Sequence, residues 1–119
     1  MRTLIGTLAL TVALAGGLAA QAYGNARDLV ARTQQDLQAA SAASHRHEER
    51  ERYEHAERHL SDFDRSITKG KWDKGRLDTA IDDVKNVVDH NTLEPQFRDA
   101  LSADLRDLRE LRATRGAGY

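Results

Sequence analysis

The chain has 119 residues, 39% of them hydrophobic, which allows a single domain with a modest core and not two domains. It contains no cysteine, so disulfides, thiolate nucleophiles and Cys-based metal or redox sites are excluded. A formal net charge of −1 argues against non-specific nucleic-acid binding, which draws on a clear excess of positive charge.

Residues 1–22 have the pattern of a secretory signal peptide. Arg2 gives a short positive start, Leu4 to Leu18 is almost wholly apolar, and Ala20-Gln21-Ala22 closes the segment as a small-x-small cleavage site. The apolar run is short and Gly-rich for a membrane span, which needs about 20 apolar residues. The expected product starts near Tyr23, is periplasmic or secreted, and makes no stable membrane insertion after cleavage. Arg2 is the only charge removed, so the formal balance moves from −1 to −2.

From Tyr23 onward the apolar residues recur at helical spacing, with one proline and almost no β-branched runs. The first helical region runs from about Asn25 to Lys69, with Asn25 as its expected cap and Asp28 at N3. Its apolar positions fall into two sets. Leu29, Val30, Thr33, Leu37 and Ala40 form one; Tyr53, Ala56, Leu60, Phe63 and Ile67 form the other, spaced 3-4-3-4 like a coiled-coil seam. The sets are out of phase, and Ser41 to Arg52 holds no large apolar group. Either one long helix runs through, or the chain breaks around Ser41 to His45. Helix propensity over Ala39 to Ala43 and opposite-charge pairs such as Glu48 with Arg52 favour continuity.

Gly70 is expected to end this element as a left-handed residue. Asp73 should cap the second helix, with Trp72 before it and Leu77 at N4 as a hydrophobic staple. Its buried stripe is Leu77, Ala80, Ile81, Val84, Val87 and Val88. The third helix is expected to start at Thr92 to Pro95, with Thr92 the better cap and Pro95 tolerated in the first turn. Phe97, Leu101, Leu105, Leu108 and Leu111 make its apolar face.

The expected fold is all-α: an antiparallel three-helix bundle over residues 53–112, a helical arm over 23–52, and a frayed tail over 113–119. Short connections make sequential helices antiparallel neighbours. The arm's stripe (Leu29, Val30, Leu37) needs a partner, either the bundle itself, which makes four helices, or a second copy of the chain, which makes a homodimer. Trp72, if exposed, joins Leu29, Val30 and Leu37 as an interaction residue.

Four of the five histidines lie between His45 and His59. His55 and His59, at i,i+4, are spaced to share a zinc or copper ion, with Glu51 or Asp62 as a third ligand. Geometry limits the set, because His47 lies opposite the Tyr53 to Ile67 stripe and the four rings cannot converge from one straight helix. The bland alternative is a solvated polar face. The Asp62/Asp64 and Asp82/Asp83 pairs lie on different helix faces and do not make an opposed catalytic pair. Gly70-Lys71-Trp72-Asp73-Lys74-Gly75 lacks the Lys-Ser/Thr ending and the preceding strand of a phosphate loop, and reads as turn chemistry. No catalytic constellation and no resident cofactor are expected. The function expected from the residues is non-enzymatic: self-association or contact with another exported protein, with metal binding or a pH response through the histidines as the alternative.

Overall fold

The computed structural model describes residues 23–115. The leader-like segment and the last four residues lie outside the described residues. Four helices follow one another: α1 (Gly24–Ala42), α2 (His47–Thr68), α3 (Lys74–His90) and α4 (Pro95–Thr114). Among the described residues there is no strand. No helix among them is long and apolar enough to cross a membrane. Each helix packs on two others, α1 on α2 and α4, and α3 on α2 and α4. The result is an up-down-up-down four-helix bundle.

The continuity expected through residues 41–52 is not found. The chain leaves α1 through two tightened turns, Ala43 N–H to Ala40 O at 3.2 Å and Ser44 N–H to Ser41 O at 3.0 Å. It then extends at Arg46 (φ −94, ψ 131) before α2 begins. The physical reason is the phase of the two apolar sets. Leu37 and Tyr53 are 16 residues apart, which at 100° per residue would set their stripes about 160° apart on one straight helix. A straight helix would leave one stripe in water; a reversal turns both onto one core. Leu29, Val30 and Leu37 are no more than 4% exposed, and burying each such side chain stabilises by about 1.5–3 kcal/mol. The arm's partner is therefore the bundle, and the described fold leaves this stripe no face for a second copy.

The other stripes fall where the spacing put them. Tyr53, Ala56, Leu60, Phe63 and Ile67 from α2 meet Leu77, Ala80, Ile81, Val84 and Val87 from α3 and Leu101, Leu105, Leu108 and Leu111 from α4. Val88 and Phe97 are only partly buried, at the edge of this core.

Two of the expected helix ends form as read. Gly70 takes φ 80, a left-handed conformation that suits glycine. The flanking bonds, Lys71 N–H to Ser66 O and Gly70 N–H to Ile67 O, both 3.0 Å, complete a Schellman turn. Asp73 caps α3 by accepting from Arg76 N–H at 3.0 Å. Trp72 is half-buried beside it, its ring 5.6 Å from Phe63 edge-to-face and 5.8 Å from Tyr23. Two other ends differ. Tyr23 occupies the α1 N-cap position with no side-chain bond, so Asn25 is not the cap. Glu94 precedes Pro95 at the α4 N-cap with no side-chain cap bond, so Thr92 is not the cap; its N–H donates to Glu49 Oε2 at 3.1 Å.

Candidate functional site

The metal set expected on α2 is dispersed. His59 Nδ1 meets Asp83 Oδ2 on α3. Glu51 pairs with His47 at 2.7 Å, and Asp62 pairs with Arg65 at 3.3 Å. His55 is exposed. Each of the other three therefore has a local partner. Among the described residues no three His, Cys, Asp or Glu side chains converge to hold a metal ion. What α2 does present is an Asp–His pair across the α2–α3 seam, beside an open hollow that His59 shares with Asp62, Asp73, Arg76 and Thr79.

A second cluster, absent from the sequence reading, lies on the α1–α4 seam. Asp104 is 1% exposed. Its Oδ1 accepts from Arg32 Nε at 2.8 Å, and Arg32 Nη2 also donates to Asp107 Oδ2 at 2.8 Å. Those hydrogen bonds, to Asp107 first and to Asp104 next, hold the guanidinium firmly charged against its partial burial. Asp104 Oδ2 is buried and receives no donor, an arrangement that is costly for a charged oxygen. Burial first, and the neighbouring Asp36 carboxyl second, push the Asp104 carboxyl up to about 7, outweighing the pull of Arg32. Two carboxyls become hydrogen-bond partners only with a proton between them, so protonation supplies what Oδ2 lacks. The cluster can hold one proton near neutral pH. The signal was present in the sequence: Asp104 is three residues after Leu101, on the face that carries Leu108 and Leu111.

At the end of the bundle where α1 turns into α2 and α3 into α4, buried polar groups tie the two loops together. Glu49, 4% exposed, accepts from Thr92 N–H through Oε2, with Ser44 Oγ 3.4 Å from its Oε1. Asn91 donates to Glu49 O at 3.1 Å, and its own Oδ1 accepts from Arg52 Nη1 at 2.8 Å. Burial pushes the Tyr53 hydroxyl above its ordinary range, opposed by its hydrogen bond with Asn91. Over this lock lies a hollow of about 350 Å³, floored by Ala40, Ala43, Leu93 and Phe97 and rimmed by His45, Arg46 and Glu94.

Of the residues expected to contact a partner, Leu29, Val30 and Leu37 are in the core and Trp72 is half-buried, its Nε1 enclosed without an acceptor. Leu93 and Phe97 at the loop end, not the α1 stripe, are the large apolar side chains left partly open beside a hollow. No family model, no curated protein and no solved structure matches this chain.

Proposed function

We propose that this chain is an exported, non-enzymatic helical module that works by binding another exported protein through the loop end of the bundle. The observation that carries the reading is the hollow at that end. Partly buried Leu93 and Phe97 lie over Ala40 and Ala43, with Arg46, His45 and Glu94 around them. An apolar centre inside a polar rim is the anatomy of a protein-contact patch, and an aromatic at its centre is the kind of side chain that anchors one. Export rests on the leader-like pattern of residues 1–22. The stripe that pointed to self-association is covered within the chain, which favours a different chain as the partner.

A photo-crosslinking residue placed at Phe97 in the exporting host should yield a discrete adduct with one envelope or extracellular protein. The same residue at Asp82, exposed on α3, should not. Equal labelling at the two positions, or none at either, overturns the reading. The pH-responsive alternative is favoured by one specific observation, buried Asp104 beside half-buried Asp36 on the α1–α4 seam, and not by the histidines. Metal binding through His55 and His59 would need donors from a second chain, since the described residues bring no third ligand to them.

A further inference from the structure

At the opposite end of the bundle from Phe97, the α2–α3 turn encloses a hollow of about 220 Å³ lined by Arg65, Ser66, Lys69, Lys71, Asp73 and Arg76. Four cations and one carboxylate share this small space. The carboxylate is already engaged: Asp73 Oδ1 accepts from Arg76 N–H, and its Oδ2 pairs with Arg76 Nε at 3.2 Å. Arg65 pairs with Asp62, but Lys69 and Lys71 meet no carboxylate among the described residues. Positive charge therefore exceeds negative charge at this turn, although the described chain as a whole is slightly acidic.

Cations often gather at a helix C-terminus to answer its unpaired carbonyls. Here that need is reduced, because Ser66 O already accepts from both Lys69 and Lys71 N–H and Ile67 O accepts from Gly70 N–H. Two ammonium groups are thus left over at a hollow also lined by the guanidiniums of Arg65 and Arg76, engaged with Asp62 and Asp73, and by the Ser66 hydroxyl, which donates to Asp62 O. Ammonium and guanidinium groups are strong donors to tetrahedral oxyanions. The hollow accommodates one phosphate group with its first waters. The sequence pattern had no backbone cradle for phosphate, and none is needed when side chains line the site.

We propose that the α2–α3 turn binds a phosphate group, carried either by a soluble phosphomonoester or by an anionic lipid headgroup, through Lys69 and Lys71 with Arg65 and Arg76 beside them. The site is separate from the loop-end surface of the proposed function, so either can fail without the other.

The purified protein, titrated with inorganic phosphate at constant ionic strength and followed by amide NMR, tests the proposal. Saturable shifts should be confined to Arg65–Arg76. The double variant Lys69→Gln/Lys71→Gln, both exposed positions, should weaken binding roughly tenfold or more, with unchanged circular dichroism. Lys85→Gln, at a lysine paired with Asp89 elsewhere on α3, should leave binding unchanged. Flotation with phosphatidylglycerol and with phosphatidylcholine vesicles separates the sources. Retention on the first alone assigns the phosphate to a lipid headgroup, and saturation by free phosphate without retention assigns it to a soluble ligand. Shifts spread over every basic side chain, an unchanged affinity in the double variant, or no response to either probe would show that the lysines serve only the helix end and overturn the proposal.

Discussion

Replacing Asp104 by Asn isolates the electrostatics of the α1–α4 seam. The amide keeps a carbonyl oxygen for Arg32 and adds an N–H donor toward the Asp36 carboxyl, so shape is conserved while the charge is removed. In the native chain the Asp104 carboxyl is raised from 3.8 to about 7. Between those values the folded protein holds a proton that the unfolded chain has released. The contribution of this group to stability is therefore complete below 3.8, declines as pH rises, and is lost once pH passes about 7. Three pH units at ~1.36 kcal/mol each set the full swing at about 4 kcal/mol. From about pH 4.5 to about pH 8 the native chain should lose roughly 3 kcal/mol that the Asn variant keeps. In a domain of this size that gap corresponds to a Tm difference of roughly 10 °C or more at the alkaline end. Urea unfolding followed by circular dichroism, at several pH values across this window, measures both curves. Parallel curves for native and variant, or an Asn variant less stable than native at about pH 8, would refute the reasoning.

Four further outcomes follow from the packing and the caps. Leu37→Ala should cost about 2–5 kcal/mol, as for a fully buried leucine. The native Tm should stay constant over roughly hundredfold dilution, since the α1 stripe is covered by its own chain; a Tm that climbs with concentration would contradict this. Glu49→Ala removes the acceptor for Thr92 N–H and should cost about 1–3 kcal/mol, with faster hydrogen exchange at Thr92; unchanged exchange there would show that the carboxylate does not tie the loops. Asp73→Ala should cost about 1 kcal/mol through the lost α3 cap, and Asp73→Asn should recover most of it; equal losses in both variants would point to the Arg76 ion pair instead.

The stripes of α2, α3 and α4 were legible because each recurs at 3–4 residue spacing over several turns, and burial follows that spacing except at Val88 and Phe97, which lie half-buried at the edge of the core. The cap at Asp73 and the left-handed Gly70 were legible for a related reason, since both are chemistry confined to one turn. The break after Ala42 was not legible from local preference. The alanine-rich stretch and the charge pairs beyond it all favour helix, and what reverses the chain is long-range: a core that must receive two out-of-phase stripes, and Glu49 reaching Thr92. The phase error between Leu37 and Tyr53 was the available sign, and it outweighs propensity. Thr92 is drawn into the same long-range contact with Glu49, and α4 starts after Glu94 instead. In the α2 histidine cluster, spacing put His55 and His59 on neighbouring positions of one helix, but it could not show that Asp83 on another helix would claim His59. Asp104 is hidden by its chemistry and not by its position, since three residues after Leu101 is as much the inner face of α4 as four.

The order of contacts along the chain has a consequence for how the bundle assembles and loosens. α2 and α3 are joined by a five-residue connection, so their pairing closes a short loop and carries a small entropic cost. α1 is tied to α4 by Arg32, across 72 residues to Asp104 and 75 to Asp107. Its closure carries the largest loop entropy of the four seams, so it is the expected first opening of the native state. The group that carries a proton near neutral pH sits on this seam and not within the α2–α3 hairpin. A rise in pH therefore weakens the clasp between the first and last helices, while the hairpin between them keeps its own packing.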